Sequence, residues 1–166
     1  MNQARKEIHC DSVYEMGITG AGVGVAVLDT GIYPHEDFGN RVVAFKDYVH
    51  HRVGPYDDNG HGTHIAAIIG GSGVSSGGVY RGVAPGCSLI AVKVLDNKGN
   101  GFASDVLAGL GWIREHKEEY NIRIVNIRAD RLIQTVCLCL FKRHRLHRSI
   151  IRHVSHFIHN PRVMRR

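Results

Sequence analysis

Three short apolar runs punctuate this chain. Val23, Val25 and Val27 alternate around Gly24 and Ala26, and Leu28 closes the run. Leu89 to Leu95 forms a second run, and Ile122-Arg123-Ile124-Val125-Asn126-Ile127 a third. Runs of this length, rich in Val and Ile, predict buried strands of a parallel sheet. A shorter strand is predicted near Val42–Phe45, within an otherwise polar stretch over 33–59. Between the strands the period changes. Ile65, Ala66, Ile68 and Ile69 keep helical spacing, with Asp58 or Asn59 as the cap. Val106, Leu107, Leu110 and Ile113 do the same after Ser104 or Asp105, and that helix ends in charge from Arg114 to Glu119. A short helix is predicted from Asp11 to Met16, a turn at Gly20–Gly22 and a Gly/Ser loop from Gly70 to Gly78. Strands alternating with helices predict an α/β fold: a mostly parallel sheet with helices on both faces. In such sheets functional residues gather at the carboxyl ends of strands, where Asp29 follows Leu28.

Composition adds a boundary. Residues 1–127 hold 11 Lys+Arg and 14 Asp+Glu, a net charge of −3. Residues 128–166 hold 10 Lys+Arg and one acid, Asp130, a net charge of +9. All 20 glycines precede residue 128, and five of the 12 histidines fall after it. So abrupt a shift predicts one domain over 1–127 and a separate basic tail over 128–166. The four cysteines are too scattered for a disulfide framework. No apolar run approaches the roughly 18 residues of a membrane span. No apolar signal core follows Met1, so a cytoplasmic location is expected.

The candidate chemistry lies in two blocks. Val27-Leu28-Asp29-Thr30-Gly31-Ile32 ends a strand in a carboxylate, and Asp58-Asn59-Gly60-His61-Gly62-Thr63-His64-Ile65-Ala66 opens a helix with a histidine. A serine hydroxyl becomes nucleophilic when an imidazole takes its proton, and a buried carboxylate orients that imidazole. Alone, Asp29 reads as a turn-capping aspartate and His61 as a structural histidine. Together, in this order and at this spacing, the blocks resemble the Asp and His motifs of the subtilisin-like serine proteases, the subtilases. The resemblance covers residues 7–127. It extends through Tyr80-Arg81-Gly82-Val83-Ala84-Pro85, Ala91-Val92-Lys93-Val94-Leu95 and Asn121 to Ile127, and is strongest to bacterial intracellular-type members. It implies that Asp29 orients His61, that His61 is the general base, and that Gly99-Asn100-Gly101 pairs with the backbone of a peptide or protein substrate as an added strand. It also implies a packing role for His64 rather than a metal pair with His61, and it sets Ala67 where the family usually has glycine, a methyl expected to crowd the site. Asp37 matches a calcium-ligand position of many members, but Gly71–Gly78 holds no Asn or Asp, so no metal or other cofactor is expected.

The third motif is missing. The eight serines are Ser12, Ser72, Ser75, Ser76, Ser88, Ser104, Ser149 and Ser155, and none stands in a Gly-Thr-Ser-x-Ala turn. The family's oxyanion asparagine is absent too, and Asn126 is expected to be structural. The expectation is a subtilisin-like serine endopeptidase half that is inactive alone. The alternative is a non-catalytic pseudoprotease that binds peptide or, through its tail, nucleic acid. Three readings of residues 128–166 remain open. They are an out-of-frame translation, a genuine basic tail that binds nucleic acid or acidic membrane through a helical stripe at Leu146, Ile150, Val154, Phe157 and Ile158, and a zinc site from Cys137, Cys139, His144 and His147. A sheet cut after its first strands is expected to leave an open edge and a marginal fold.

Overall fold

The computed structural model describes Arg5 and residues 7–127. The expectations placed on the tail, including Cys137, Cys139, His144, His147 and the apolar stripe, concern residues outside these. The chain runs through helix α1 (Cys10–Glu15), strand β1 (Gly24–Asp29), strand β2 (Val42–Asp47), helix α2 (His61–Gly70), a 3₁₀ turn (Val74–Ser76), strand β3 (Ser88–Lys93), helix α3 (Ala103–Glu115) and strand β4 (Ile122–Ile127). The four strands form one parallel sheet in the order β2-β3-β1-β4.

Every residue of β1 is buried, as expected of a central parallel strand covered on both faces. Side chains alternate across such a strand. Val25 and Val27, with Leu89 and Ala91 of β3, join Ile32, Phe38 and Ala66 of α2 in one core. Leu28 and Val92 point the other way, toward α3. There Gly109 brings the helix so close that a Cβ would lie 3.0 Å from Val92 and 3.5 Å from Leu28. Leu28 is fully buried, a burial that stabilises the fold by about 2 kcal/mol. The two helices therefore cover opposite faces. The two helical crossovers, β2 to β3 through α2 and β3 to β4 through α3, step the same way across the sheet. Two such connections with helices on opposite faces have opposite hands, so one departs from the right-handed rule.

β4 is one of the two outer strands of the described sheet and pairs only with β1 there. Its Ile124 is 54% exposed and its Val125 38%. An edge strand with bare aliphatic side chains is a liability in an isolated domain. The expected strand near Val42–Phe45 runs on to Asp47, because that carboxylate is buried as a loop anchor. The amides of Val49, His50 and Arg52 and the Tyr56 hydroxyl all donate to it. Burial opposes that charge, but these bonds outweigh burial and hold the Asp47 pKa below the ordinary value. No described helix is long and apolar enough to cross a membrane.

Candidate active site

Asp29 is the last residue of β1, and its side chain is 1% exposed. His61 is the first residue of α2, with its side chain 35% exposed. The turn after β1 and the start of α2 bring them together. Nδ1 of His61 lies 2.8 Å from Oδ1 and 2.9 Å from Oδ2 of Asp29. An ionised carboxylate only accepts, so in the neutral imidazole the proton sits on Nδ1 and Nε2 carries the lone pair. That is the tautomer a general base requires.

The approach depends on Gly62. A Cβ there would overlap the Gly31 carbonyl and stand 3.1 Å from the Asp29 Cβ. Gly31 has φ +117 and lies against the Tyr56 carbonyl, where a Cβ would again overlap. Each glycine thus permits one close passage of backbone over backbone.

Asp57 fastens the two motifs to each other. Its Oδ1 accepts from the Thr30 hydroxyl at 2.9 Å, the Asn59 amide at 3.1 Å and the Gly60 amide at 2.9 Å. Its Oδ2 accepts from the Thr63 amide at 2.9 Å and the Thr63 hydroxyl at 2.6 Å. The Gly62 amide in turn donates to the Thr30 hydroxyl at 3.0 Å. Burial pushes the Asp57 pKa up, but the Thr63 hydroxyl and the amides of Gly60, Thr63 and Asn59 outweigh it and hold it low. Capping of α2 therefore differs from expectation. Asn59 accepts from the His61 amide at 3.2 Å, Asp57 takes Thr63, and Asp58 turns instead to Lys93. In α3, Phe102 occupies the cap position, while Ser104 and Asp105 fall inside the first turn. There Asp105 acts through the positive helix end rather than by capping.

Gly99, Asn100 and Gly101 follow β3 in a tight turn organised by Asp96. The Lys98 and Asn100 amides donate to Asp96 Oδ1, each at 2.8 Å. These two bonds, Asn100 first, hold the Asp96 carboxyl below its ordinary pKa. Asn59, two residues before His61, donates to the Asn97 carbonyl at 2.9 Å and ties this turn to the Asp–His pair. His64, expected to pack, is exposed on α2, since nothing among the described residues covers that face. Ala67 is accommodated: it packs at the core margin, with Gly71 and Gly82 passing closely over its carbonyl.

The calcium-ligand position is engaged by donors of the chain itself. Asp37 Oδ1 accepts from the Ser75 amide at 2.9 Å and the Ser75 hydroxyl at 3.1 Å. The Arg41 guanidinium donates to the carbonyls of Asp37, Gly70 and Cys87 nearby. No group of three or more His, Cys, Asp or Glu able to hold a metal occurs among the described residues. Nor does any described serine hydrogen-bond to His61, whose ring meets Asp29 alone. Ser149 and Ser155 lie outside the described residues.

A parallel α/β sheet presenting a carboxylate-oriented imidazole at its carboxyl end is the architecture of the Asp–His hydrolases, which complete the pair with a serine. The profile of the Subtilase family matches residues 20–127, and the chain belongs to that family. It is 46% identical over 121 residues to serine protease AprX of Bacillus subtilis (strain 168), covering 72% of this chain and 27% of that protein. It is 43% identical over 105 residues to subtilisin Savinase of Lederbergia lenta, covering 63% of this chain and 38% of that protein. Among solved structures, the Clostridium perfringens CspB protease matches with TM-score 0.67 at 25% identity, covering 78% of this chain and 33% of its own. A cold adapted subtilisin-like serine proteinase matches with TM-score 0.53 at 39% identity, over 59% of this chain and 34% of that one. The chain thus spans between 27% and 38% of each of these proteins.

Proposed function

We propose that residues 1–127 are the Asp- and His-bearing front part of a subtilisin-like serine endopeptidase, and that this polypeptide alone does not hydrolyse peptide bonds. In the complete reaction His61 Nε2 takes the proton of a serine hydroxyl as its oxygen attacks the peptide carbonyl. Asp29 steadies the imidazolium that results. The same proton then passes to the leaving amine, and water resolves the acyl-enzyme by the reverse sequence. The observation that carries the reading is the Asp29–His61 contact without a described serine within reach. In subtilisin itself, loss of the serine lowers turnover about a million-fold. Purified chain and its His61→Ala variant are expected to cleave a fluorogenic peptide at the same background rate. Turnover abolished by His61→Ala refutes the reading.

The exposed turn at Gly99, Asn100 and Gly101 favours a second reading, retention of peptide binding without cleavage. Its edge is held ready by Asp96 and by the Asn59–Asn97 bond. Saturable binding of an extended peptide, lost on insertion of proline at Asn100, supports it; no binding refutes it. For residues 128–166 we favour out-of-frame translation, because the family match stops at residue 127, where charge and glycine content change. Resequencing through codon 128 and translating all frames downstream tests this. A Gly-Thr-Ser-x-Ala block in another frame is the expected result, and its absence from every frame overturns it.

A further inference from the structure

Lys93 is a lysine in an apolar strand, fully buried, at the carboxyl end of β3. In the parallel register it stands opposite Asp29 on one side and Asp47 on the other. The three strand ends thus carry a row of carboxylate, ammonium and carboxylate. A lysine ammonium has three donors. Here Nζ lies 2.6 Å from the Thr30 carbonyl, 2.8 Å from the Leu95 carbonyl and 2.7 Å from Asp58 Oδ1. The Tyr56 ring lies 5.0 Å below it, and the Tyr56 hydroxyl donates to Asp47 at 2.8 Å. A buried charge persists only where such partners compensate its lost hydration.

The first of these contacts reaches the active site. Thr30 follows Asp29, and its amide donates to Asp29 Oδ1 at 2.7 Å. Its carbonyl is the acceptor for Lys93. The peptide units around Thr30 are therefore held from both ends, by the carboxylate that faces His61 and by the ammonium. Asp58, whose side chain is 31% exposed, neutralises that ammonium and lies three residues before His61 in the same loop. Lys93 thus bridges the two segments that deliver Asp29 and His61, by its hydrogen bond to Thr30 and its ion pair with Asp58.

We propose that Lys93, neutralised by Asp58, is a positioning residue that sets the Asp29–His61 geometry through the Thr30 carbonyl. The proposal rests on the reading of Asp29 and His61 as a catalytic pair. It is testable without catalysis, through the proton His61 shares with Asp29. In the full chain this Nδ1 proton is expected as a low-field NMR resonance, lost in His61→Ala and in Asp29→Ala. Lys93→Met is expected to shift that resonance upfield or broaden it by exchange. Asp58→Asn, a milder change at a partly exposed group, is expected to move it the same way by less. Ile90→Ala, a cavity in the core of the opposite face, destabilises the fold without touching this network and is expected to leave the resonance in place. A resonance unchanged in folded Lys93→Met overturns the proposal. Should Lys93→Met fail to fold, an unchanged resonance in Asp58→Asn overturns it equally. If the wild-type chain shows no resonance dependent on His61 and Asp29, the pair itself is refuted, a different failure.

Discussion

Replacing Asp57 by asparagine removes one charge and one acceptor from the junction of the two motifs. Oδ1 retains its three donors, from Thr30, Asn59 and Gly60. The new amide nitrogen takes the place of Oδ2 and faces the Thr63 amide and hydroxyl, both donors to the native carboxylate. A hydrogen bond to a charged acceptor contributes about 1.5–3 kcal/mol, and a stranded buried donor costs about 1–3 kcal/mol. The Thr63 hydroxyl can rotate to accept, but its amide cannot. The loss is therefore about 3 kcal/mol at neutral pH, or about 10 °C in Tm for a domain of this size. Thermal unfolding followed by circular dichroism measures it. The effect depends on pH with a defined sign. An unperturbed aspartate takes up its proton near 3.8, whereas Asp57 in the fold is held lower. Between the two values the unfolded chain binds more protons, so acid removes stability there. The advantage of wild type over Asp57→Asn is expected in full above pH 3.8 and to fade as pH falls through the lower folded value. A difference under 3 °C at pH 7, or one that grows on acidification, refutes this account of the junction.

Three further outcomes follow from the same geometry. Gly31→Ala places a Cβ against the Tyr56 carbonyl at φ +117, and is expected to cost more than ~3 kcal/mol or abolish the unfolding transition. Asp96→Ala removes the shared acceptor of the Lys98 and Asn100 amides, and is expected to accelerate their hydrogen exchange while leaving β3 amides protected. Excess EDTA is expected to move Tm by less than ~2 °C, because Ser75 and Arg41 already satisfy the oxygens near Asp37. A larger drop, restored by calcium, contradicts that assignment.

Much of the fold was legible because burial writes itself into composition. Val25, Val27 and Leu28 admit few readings other than a covered strand, and an aspartate directly after them falls at the sheet's functional end. The helix opened by His61 was legible for a similar reason: Ile65, Ala66 and Ile69 fix its buried side. The supports of the pair were harder to read. Asp57 and Asp58 look alike in a polar loop, yet one fastens Thr30 and Thr63 while the other neutralises Lys93. Which does which depends on a few ångströms of loop path that no local pattern encodes. A signal for Lys93 did exist. A lysine between Val92 and Val94, inside a strand otherwise free of charge, requires a buried partner, and the nearest loop acids were candidates. The helix caps were misplaced because capping depends on backbone direction at the turn, where Asp, Asn and Ser are interchangeable by propensity.

The central proposal is that this chain presents an oriented base with no serine among the described residues to activate. A fluorophosphonate tests it most directly, since an activated serine displaces fluoride and gains the phosphonyl group. Intact mass spectrometry of the folded chain after treatment is expected to show no adduct. A stoichiometric adduct on a serine, prevented by His61→Ala, contradicts the account and establishes a complete catalytic site in this polypeptide.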